Sequence, residues 1–498
     1  MSTLAGSRIR PHPIWKYFLL FALLIITGYL YAMKGALVYL GWLAIPSAIG
    51  LLALLYRHPK LNLYIVMFIT FFMAVINRYI PVHIPWSFGV DLFLILALLM
   101  PAIKHWHNTD YSLASRSLAA MLGVWMLYIV LQLFNPEAVS RLAWLYVMRG
   151  IALYPLLIVL SALVILNSRK DFLNFFHLWV ALSLLGALWG IKQDMLGVSA
   201  AEQAWLNAGA KRTHVLFGHL RVFSYYFDAG TFGPAMGQIS IAAFILCVGP
   251  FTRKRRIFYL VVGLLTLYGM MISGTRGALA VPAFGAITYL VMVRNYRLVA
   301  VGLLVLGLSF SFLKFTKIGQ SNYTVNRLRS TLNPEDASLN IRLINREALS
   351  QYLQDKPFGG GVGSSGYWGR RFSKGTWLSH FEPDGLYTQI RAETGIVGRN
   401  LFVSLLVLIL LRGIAISRKL QNEQDRYYAM GILAGYAGIL VANYGNSVMT
   451  QFPNIFVTFL GLAFVYSMKY WDEEGKVNLP GKPTPVEGAS VIKNSWRT

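Results

Sequence analysis

The chain has 498 residues, of which 56% are hydrophobic and 13% are charged, and its formal net charge is +25. Soluble domains carry about 25% charged residues, so the composition excludes an ordinary soluble protein and predicts a polytopic membrane protein. Nucleic acid is a poor partner because no basic run is long enough and no reader module is visible, whereas membrane lipid or a phosphate-bearing substrate fits the charge.

Apolar runs of about 17–20 residues, the length that crosses a bilayer, predict an all-α fold with about fourteen transmembrane helices. The first run follows Arg8, Arg10 and Lys16 without a small-residue cleavage site after it, so we interpret it as a retained anchor with a cytoplasmic N-terminus. The predicted spans are 15–32, 36–56, 61–77, 88–103, 117–134, 150–167, 172–191, 231–250, 257–273, 277–293, 298–314, 396–412, 427–444 and 454–470.

The short connections determine the orientation of these spans. With the N-terminus inside, every short inner connection is basic, as the positive-inside rule requires. These connections are 57–60, 104–116, 167–171, 252–256, 294–297 and 412–426. Both termini are then cytoplasmic, and the polar tail at 471–498 is predicted to be disordered.

Two outer connections are long, at about 192–230 and 315–395. Nearly half of the 45 lysines and arginines fall on the outer side, which indicates either an anionic ligand there or a solvated loop in contact with lipid. We favour the ligand. The predicted organisation is a span region with the first outer loop at 1–314, a large periplasmic catalytic loop at 315–395, further spans at 396–470, and the tail at 471–498.

Two arginines lie where a loop meets a span. Arg221 precedes a span in a run rich in Tyr and Phe, which is typical either of an interfacial aromatic belt with a snorkelling arginine or of a ligand site. Arg276 lies in the tight turn SGTRGAL, where an arginine near hydrocarbon costs roughly 2.5–3.5 kcal/mol at mid-depth. Its guanidinium either snorkels or binds phosphate through two parallel hydrogen bonds, and we favour phosphate.

The segment Ser338–Leu353 in the large loop is predicted to form an amphipathic helix. Arg342 and Arg346 share one face at i,i+4 spacing, where like charges repel slightly unless an anion sits between them. They therefore either bind a pyrophosphate or form a solvated face. The predicted apolar face comprises Leu339, Leu343, Ala348 and Tyr352.

A glycine-rich run at 359–363 follows Lys356 and Pro357. It predicts either a series of turns or a backbone that approaches a ligand closely. The chain has no Walker A motif and no G-x-G-x-x-G between a strand and a helix, so a nucleotide site is not predicted.

His380, Glu382 and Asp384 lie at alternate positions near the end of the large loop. With reference pKa values of about 3.9 and 6.5, Asp384 is expected to be ionised and His380 largely neutral at pH 7, and either can accept a proton from a sugar hydroxyl. A metal site is weakly indicated, because there is one cysteine, no second histidine cluster and no DxD pattern. We therefore expect no cofactor, and we interpret His214 and His219 as ordinary loop histidines.

Three segments together resemble the bacterial O-antigen ligase and polymerase superfamily, which includes the Wzy-type polysaccharide polymerases. The resemblance covers about residues 215–415, and by it Arg221, Arg276 and Arg342 match the family's arginines. The segments are RVFSYYFDAGTFGPAMG at 221–237, SGTRGALA at 273–280, and the large loop, with DKPFGGGVG at 355–363 and DGLYTQIRAETGIVG at 384–398.

The resemblance implies a GT-C-like membrane glycosyltransferase that works without a metal and with inversion, on the periplasmic face of the bacterial inner membrane. Donor and acceptor would be glycans on undecaprenyl pyrophosphate, and the arginines would hold the pyrophosphate as it leaves. The family usually has His-Asn nine residues before the Glu of a Glu-x-Gly element, whereas here Glu393 points back to Asp384-Gly385. The base is then either Asp384, which we favour by position, or His380 from one helical turn away.

Several functions stay open at this point. A polymerase of O-antigen or exopolysaccharide repeat units, with a chain-length regulator or co-polymerase as a candidate partner, is favoured by the number of spans and the form RVFSYYFDAGTFGP. A ligase would instead transfer the glycan to a lipid A core. A flippase for the lipid-linked glycan needs charge inside the spans and short loops, whereas here the charge is concentrated in long outer loops. A structural scaffold is least favoured.

Overall fold

The computed structural model describes residues 37–80, 85–104, 117–166, 168–216, 218–293, 295–321, 323–330 and 337–477. About 80% of these residues are helical, and the one sheet among them is an antiparallel hairpin that pairs Val215 with Leu220. The all-α class is therefore confirmed. The first predicted span, 15–32, lies outside the described residues, as does the predicted tail from residue 478.

The helices are numbered in chain order. The described residues divide into two compact units between Leu61 and Asn62, with α1 in the first unit and α3 to α20 in the second. The helices are α1 (Leu37–Arg57), α2 (Lys60–Tyr79), α3 (Trp86–Lys104), α4 (Ser117–Leu131), α5 (Arg141–Met148), α6 (Tyr154–Ile165), α7 (Arg169–Met195), α8 (Ala200–Trp205), α9 (Lys211–His214), α10 (Ala229–Cys247), α11 (Arg253–Ile272), α12 (Ala280–Met292), α13 (Tyr296–Phe315), α14 (Tyr323–Arg329), α15 (Ala337–Tyr352), α16 (Gly366–Phe372), α17 (Trp377–His380), α18 (Leu386–Lys419), α19 (Glu423–Ala442) and α20 (Asn454–Val477). The strands are β1 (Val215–Leu216) and β2 (His219–Leu220), and short 3-10 or π segments lie at Gln132–Phe134, Arg149–Leu153, Leu206–Ala210, Arg276–Leu279 and Val448–Thr450.

Among the described residues, 8 helical segments are long and apolar enough to cross a membrane, by length and composition. They are Lys60–Tyr79, Trp86–Lys104, Ser117–Phe134, Arg141–Ile165, Arg169–Met195, Ala229–Cys247, Arg253–Ile272 and Leu386–Lys419. Every predicted span after the first coincides with a helix, including shorter apolar helices such as Arg276–Met292 and Val299–Phe315. The chain is therefore a polytopic membrane protein, but the predicted count of fourteen spans is not confirmed.

Helix α19 coincides with the predicted span 427–444 but is not among the 8. Most of its residues are buried, and its interior glycines let neighbouring backbones come close. A methyl group on Gly431 would lie 3.3 Å from Ala242 Cα in α10, and one on Gly438 would clash with Val281 O in α12. This helix is thus a core element, whose glycine-containing sequence suits contact with protein more than contact with lipid.

The predicted large loop is partly helical, as expected, because it contains α14 to α17. Helix α15 packs chiefly through its C-terminal half. The buried cluster there comprises Leu349, Leu353, Leu378, Phe381 and Ala392. Of the predicted apolar face, the side chain of Leu343 is 51% exposed, and Ala348 and Tyr352 are half-buried. The side chain of Leu339 lies outside the described part of the chain.

The glycine-rich run packs against the protein's own backbone. Gly359, Gly361 and Gly363 have φ angles of +76°, +90° and +82°, which side chains with a Cβ rarely adopt. A methyl group on Gly363 would lie 2.5 Å from Ala143 O of α5, and one on Gly359 would lie 2.6 Å from the carbonyl carbon of Glu393 in α18. The backbone of the run therefore lies close to the backbones of two helices of the chain, α5 and α18.

Candidate functional site

The turn Asn443–Asn446, here called the α19 turn, directly follows the core helix α19. Leu386, the first residue of α18, donates a hydrogen bond from its backbone N to Asn443 O at 3.0 Å. A methyl group on Gly385 would lie 2.6 Å from Tyr444 O. The backbone beside Asp384 is therefore held against the α19 turn, and a core helix determines where that backbone sits.

Two predicted arginines of α15 lie against consecutive residues of the same turn. A methyl group on Gly445 would lie 3.4 Å from Arg342 Nη1, so this guanidinium is next to the backbone of the turn. Arg346 donates from Nη1 to the Tyr444 hydroxyl, and its guanidinium carbon lies 3.8 Å from the centroid of that ring. Such a cation–π contact orients the arginine without neutralising it.

The tight turn before α12 carries Arg276 and is contacted by Arg221, the other two predicted arginines. Arg221 donates from Nη2 to Thr275 Oγ1 at 3.1 Å, and Arg276 is the next residue. A methyl group on Gly277 would lie 3.4 Å from Asn446 Nδ2, so this turn borders the α19 turn. Arg221, Arg276 and Arg342 thus belong to segments that meet at one place, although they are far apart in the sequence.

Sequence reasoning missed a further arginine at the tight turn. Arg327 of α14 donates from Nε to Gly274 O at 3.4 Å. The only signal in the sequence is a pair of arginines, Arg327 and Arg329, in the stretch after an apolar run. That pattern is common at the ends of membrane helices, so it did not single out a site.

The two candidate bases have different surroundings. Asp384 is half-buried, and its Oδ2 accepts a long hydrogen bond of 3.4 Å from Asn345 Nδ2, which lies between Arg342 and Arg346 on α15. His380 ends α17 with an exposed side chain. The structure therefore connects Asp384, rather than His380, to the helix that carries the arginines.

The third member of the predicted trio is held elsewhere. Glu382 forms an ion pair with Arg370 of α16 on the protein surface. Within the described ranges, no three His, Cys, Asp or Glu side chains are grouped so that they could hold a metal ion.

A cavity of about 600 Å³ opens beside these segments. Its volume lies within the range of roughly 300–1,000 Å³ that is usual for small-molecule sites. Its wall combines aromatic rings with polar groups, and none of the six predicted site residues lines it. Its aromatic and polar members include Asn77, Trp86, Tyr146, Arg149, Tyr154, Asp228, Trp368, Gln389 and Gln451.

An ion pair lies at this cavity and was also missed from the sequence. Arg149 pairs with Asp91 of α3, with an Nε to Oδ1 distance of 3.3 Å. Arg149 begins a π-helical segment, Arg149–Leu153, and single π turns inside helices are frequent at functional sites. The sequence did contain a signal for this pair. Each residue is a lone charge inside an apolar run, and such charges are costly unless they are paired or functional.

Asp228 links the cavity to the arginines. It lines the cavity and caps α10, since its Oδ1 accepts from Thr231 N at 2.7 Å. A methyl group on Gly230 would lie 3.0 Å from Asp228 Oδ1 and 3.9 Å from Asn446 Oδ1. The N-terminus of α10 therefore lies between the cavity and the α19 turn, and the distance across it is only a few ångströms.

Glu393, the carboxylate of the Glu-x-Gly element, is fully buried. Its Oε1 accepts hydrogen bonds from Ser365 Oγ at 2.8 Å and from Gln389 Nε2 at 3.4 Å. Gln389 also lines the cavity. The buried carboxylate therefore ties the end of the glycine-rich run to α18, next to the cavity wall.

Residues 261–403 match the family model described as O-Antigen ligase (Wzy_C). Residues 261–403 therefore carry an O-antigen ligase domain, which supports the O-antigen ligase/polymerase superfamily for this chain. The matched segment contains Arg276, Arg342 and Asp384 but not Arg221, and no curated protein matches the chain. A domain of this family supports a membrane glycosyltransferase-like enzyme with a ligase- or polymerase-type role in polysaccharide assembly, and it implies lipid-linked glycan substrates in general.

Proposed function

We propose that the chain polymerises oligosaccharide repeat units carried on undecaprenyl pyrophosphate, on the periplasmic face of the bacterial inner membrane. The observation that carries this proposal is the meeting of segments at the α19 turn. Three arginines, Arg221, Arg276 and Arg342, and the carboxylate Asp384 all belong to segments that contact this turn or its direct neighbour. Glycosyl transfer from a lipid diphosphate needs these two ingredients, cationic stabilisation of the leaving group and a base near the attacking hydroxyl.

The residues have distinct roles in this reaction. The arginines bind the diphosphate and stabilise its added negative charge as the bond between the anomeric carbon and the phosphate oxygen breaks. Asp384 takes the proton of the acceptor hydroxyl, whose oxygen forms the new bond to that carbon from the opposite face, which inverts the configuration. The diphosphate leaves with the bonding electron pair and remains attached to its lipid. Each step uses side chains of this chain, with the arginines supplying the positive charge.

The large cavity suits the glycan. Trp86, Tyr146 and Trp368 contribute aromatic rings to its wall, and Gln389 and Gln451 contribute side-chain amides. Apolar walls with a few convergent polar groups are the usual composition of small-molecule sites. Because Asp228 separates this cavity from the α19 turn, a glycan held there has its end close to the diphosphate.

A ligase is the second candidate, and the description of the family model favours it. Polymerase and ligase share the donor and differ in the acceptor, which is another lipid-linked repeat unit for a polymerase and a lipid A core for a ligase. A purified sample supplied with lipid-diphosphate repeat units is expected to give a ladder of products. Transfer only to an added lipid A core would establish the ligase, and translocation of the lipid-linked glycan without bond formation would overturn both.

A further inference from the structure

A small second pocket, of about 140 Å³, lies between α15, the start of α18 and the α19 turn. Three of its lining side chains are arginines, Arg346, Arg391 and Arg399. No carboxylate lines it, and within the described part of the chain none of these three arginines forms a salt bridge. The remaining lining residues are Leu349, Tyr387, Thr388 and Tyr444.

The guanidinium groups are oriented by neutral partners. Arg391 donates from Nη2 to Ser350 Oγ at 2.9 Å, and Arg399 donates from Nη2 to Asn400 Oδ1 at 2.9 Å. Arg346 rests on the Tyr444 ring. These contacts fix the geometry but leave three positive charges in one small space, where they repel one another unless an anion sits between them.

The pocket lies where a loop helix continues into an apolar span. Arg391 precedes and Arg399 follows the non-helical residue Gly395, after which α18 continues to Lys419. An anionic group at this position can therefore be attached to a chain that lies in the bilayer. A volume of 140 Å³ is below the range of about 300–1,000 Å³ for drug-sized ligands, so the pocket suits a phosphate or diphosphate group and not a glycan.

This pocket is next to the proposed donor site but separate from it. Arg342 lies beside Gly445, whereas Arg346 lies on the preceding residue, Tyr444. The sequence placed these two arginines in one pyrophosphate site because of their i,i+4 spacing. In the structure they contact neighbouring residues of the α19 turn, and only Arg346 lines the small pocket.

We propose that Arg346, Arg391 and Arg399 bind the phosphate group of a second lipid-anchored molecule, beside the diphosphate of the donor. The interpretation of this second molecule as the glycan acceptor rests on the proposed function. The binding of its phosphate group to the three arginines does not. The same chemistry is offered by the diphosphate of a lipid-linked glycan and by the headgroup of an anionic phospholipid. The experiment below separates these two sources.

Binding of inorganic pyrophosphate to the protein in phosphatidylcholine nanodiscs tests the pocket directly. The wild type is expected to bind pyrophosphate at two sites, and Arg391→Gln/Arg399→Gln is expected to weaken one of them at least tenfold. Arg371→Gln is the matched control, since Arg371 is an exposed arginine of α16 that lines neither site. The proposal would be overturned if the folded double variant bound pyrophosphate at two sites with unchanged affinity. It would also be overturned if the wild type bound pyrophosphate at a single site and Arg276→Gln removed that site.

The source of the phosphate is tested with two additions. If the occupant is a phospholipid, nanodiscs that contain phosphatidylglycerol are expected to lose one pyrophosphate site in the wild type only. If it is the acceptor, the ratio of the KM for a phosphate-free acceptor to the KM for a lipid-diphosphate acceptor is expected to fall at least tenfold in the double variant and to stay constant in Arg371→Gln. Absence of transfer by the wild type to any acceptor would defeat the proposed function, while the pyrophosphate measurement would still decide the pocket.

Discussion

The guanidinium of Arg221 donates a hydrogen bond from Nη2 to Oγ1 of Thr275 at 3.1 Å. This contact joins the end of the predicted first outer loop to the tight turn that carries Arg276. Thr275 Oγ1 itself donates to Ala229 O at 2.7 Å, at the start of α10. One threonine hydroxyl therefore connects the two arginine-bearing segments to the N-terminus of α10, which is the most buried of the 8 candidate spans among the described residues.

Arg276→Ala is expected to abolish polymer formation, with a rate reduction of about 100-fold or more, the usual effect of removing one group that stabilises a developing charge. Arg276→Lys is expected to recover little, because an ammonium cannot form two parallel hydrogen bonds to a phosphate. The measurement is the length distribution of products, with the amount of folded protein checked by size-exclusion chromatography. Near-normal chain length in Arg276→Ala would remove this arginine from the site.

Asp384→Asn and His380→Ala distinguish the two candidate bases. Asp384→Asn is expected to lower the transfer rate at least 100-fold, since the amide cannot accept the proton. His380→Ala is expected to keep most of the activity because its side chain is exposed. If His380→Ala alone is inactive, Asp384 is the wrong residue.

Asp91→Asn is expected to destabilise the protein by leaving Arg149 without its carboxylate. Breaking a fully buried pair costs roughly 3–5 kcal/mol. The exposed fractions here are 11% for Arg149 and 23% for Asp91, so we expect about 1–3 kcal/mol in the free energy of unfolding. Thermal unfolding in detergent measures this, and Asp91→Leu/Arg149→Met is expected to recover part of the loss. Equal midpoints for wild type and Asp91→Asn would show that the pair contributes little.

Gly363→Ala tests the close packing of the glycine-rich run. Its φ of +82° costs about 1–2 kcal/mol for alanine, and the added methyl group would lie 2.5 Å from Ala143 O. Gly375→Ala is the control, because Gly375 has φ +86° with open space around it. The yield of folded protein is expected to fall sharply in Gly363→Ala and only slightly in Gly375→Ala. Similar yields in the two variants would mean that the positive φ angle, and not the contact with Ala143, determines the cost of the substitution.

Acidification is expected to destabilise the segment 192–230, the predicted first outer loop, through His214. Its ring is buried against Trp205 and Phe223, and this burial lowers the pKa of His214 below 6.5. As the pH falls, the unfolded chain therefore binds the proton before the folded protein does. The contribution of His214 to the free energy of unfolding is full above about pH 6.5 and is lost as the pH falls from there through the lowered pKa of the folded protein. Unfolding midpoints measured between pH 7.5 and 5 are expected to fall more in the wild type than in His214→Phe, and parallel curves would contradict this role.

The sequence predicted the spans because an uninterrupted apolar run is a local signal, and it placed the tight turn at Gly274 because glycines there interrupt two such runs. It did not predict that Leu349 rather than Leu343 would be buried, since both lie at plausible helical spacing and the choice depends on where Leu378 and Phe381 pack. The cluster of Arg346, Arg391 and Arg399 was missed for a similar reason. Nothing local relates α15 to α18, and their approach is set by tertiary contacts such as that of Arg391 with Ser350.

The glycines of α19 connect the membrane interior with the chemistry. Gly438 precedes the α19 turn by five residues, or about 7.5 Å of helix, and any side chain there would push α19 away from Val281. Such a displacement would carry the turn with it and pull the arginines of α15 out of register with Arg276. Substitutions at the packed positions of α12 or α19 are therefore expected to lower activity although every reacting side chain is still present. Second-site substitutions that restore such activity are expected in these same two helices.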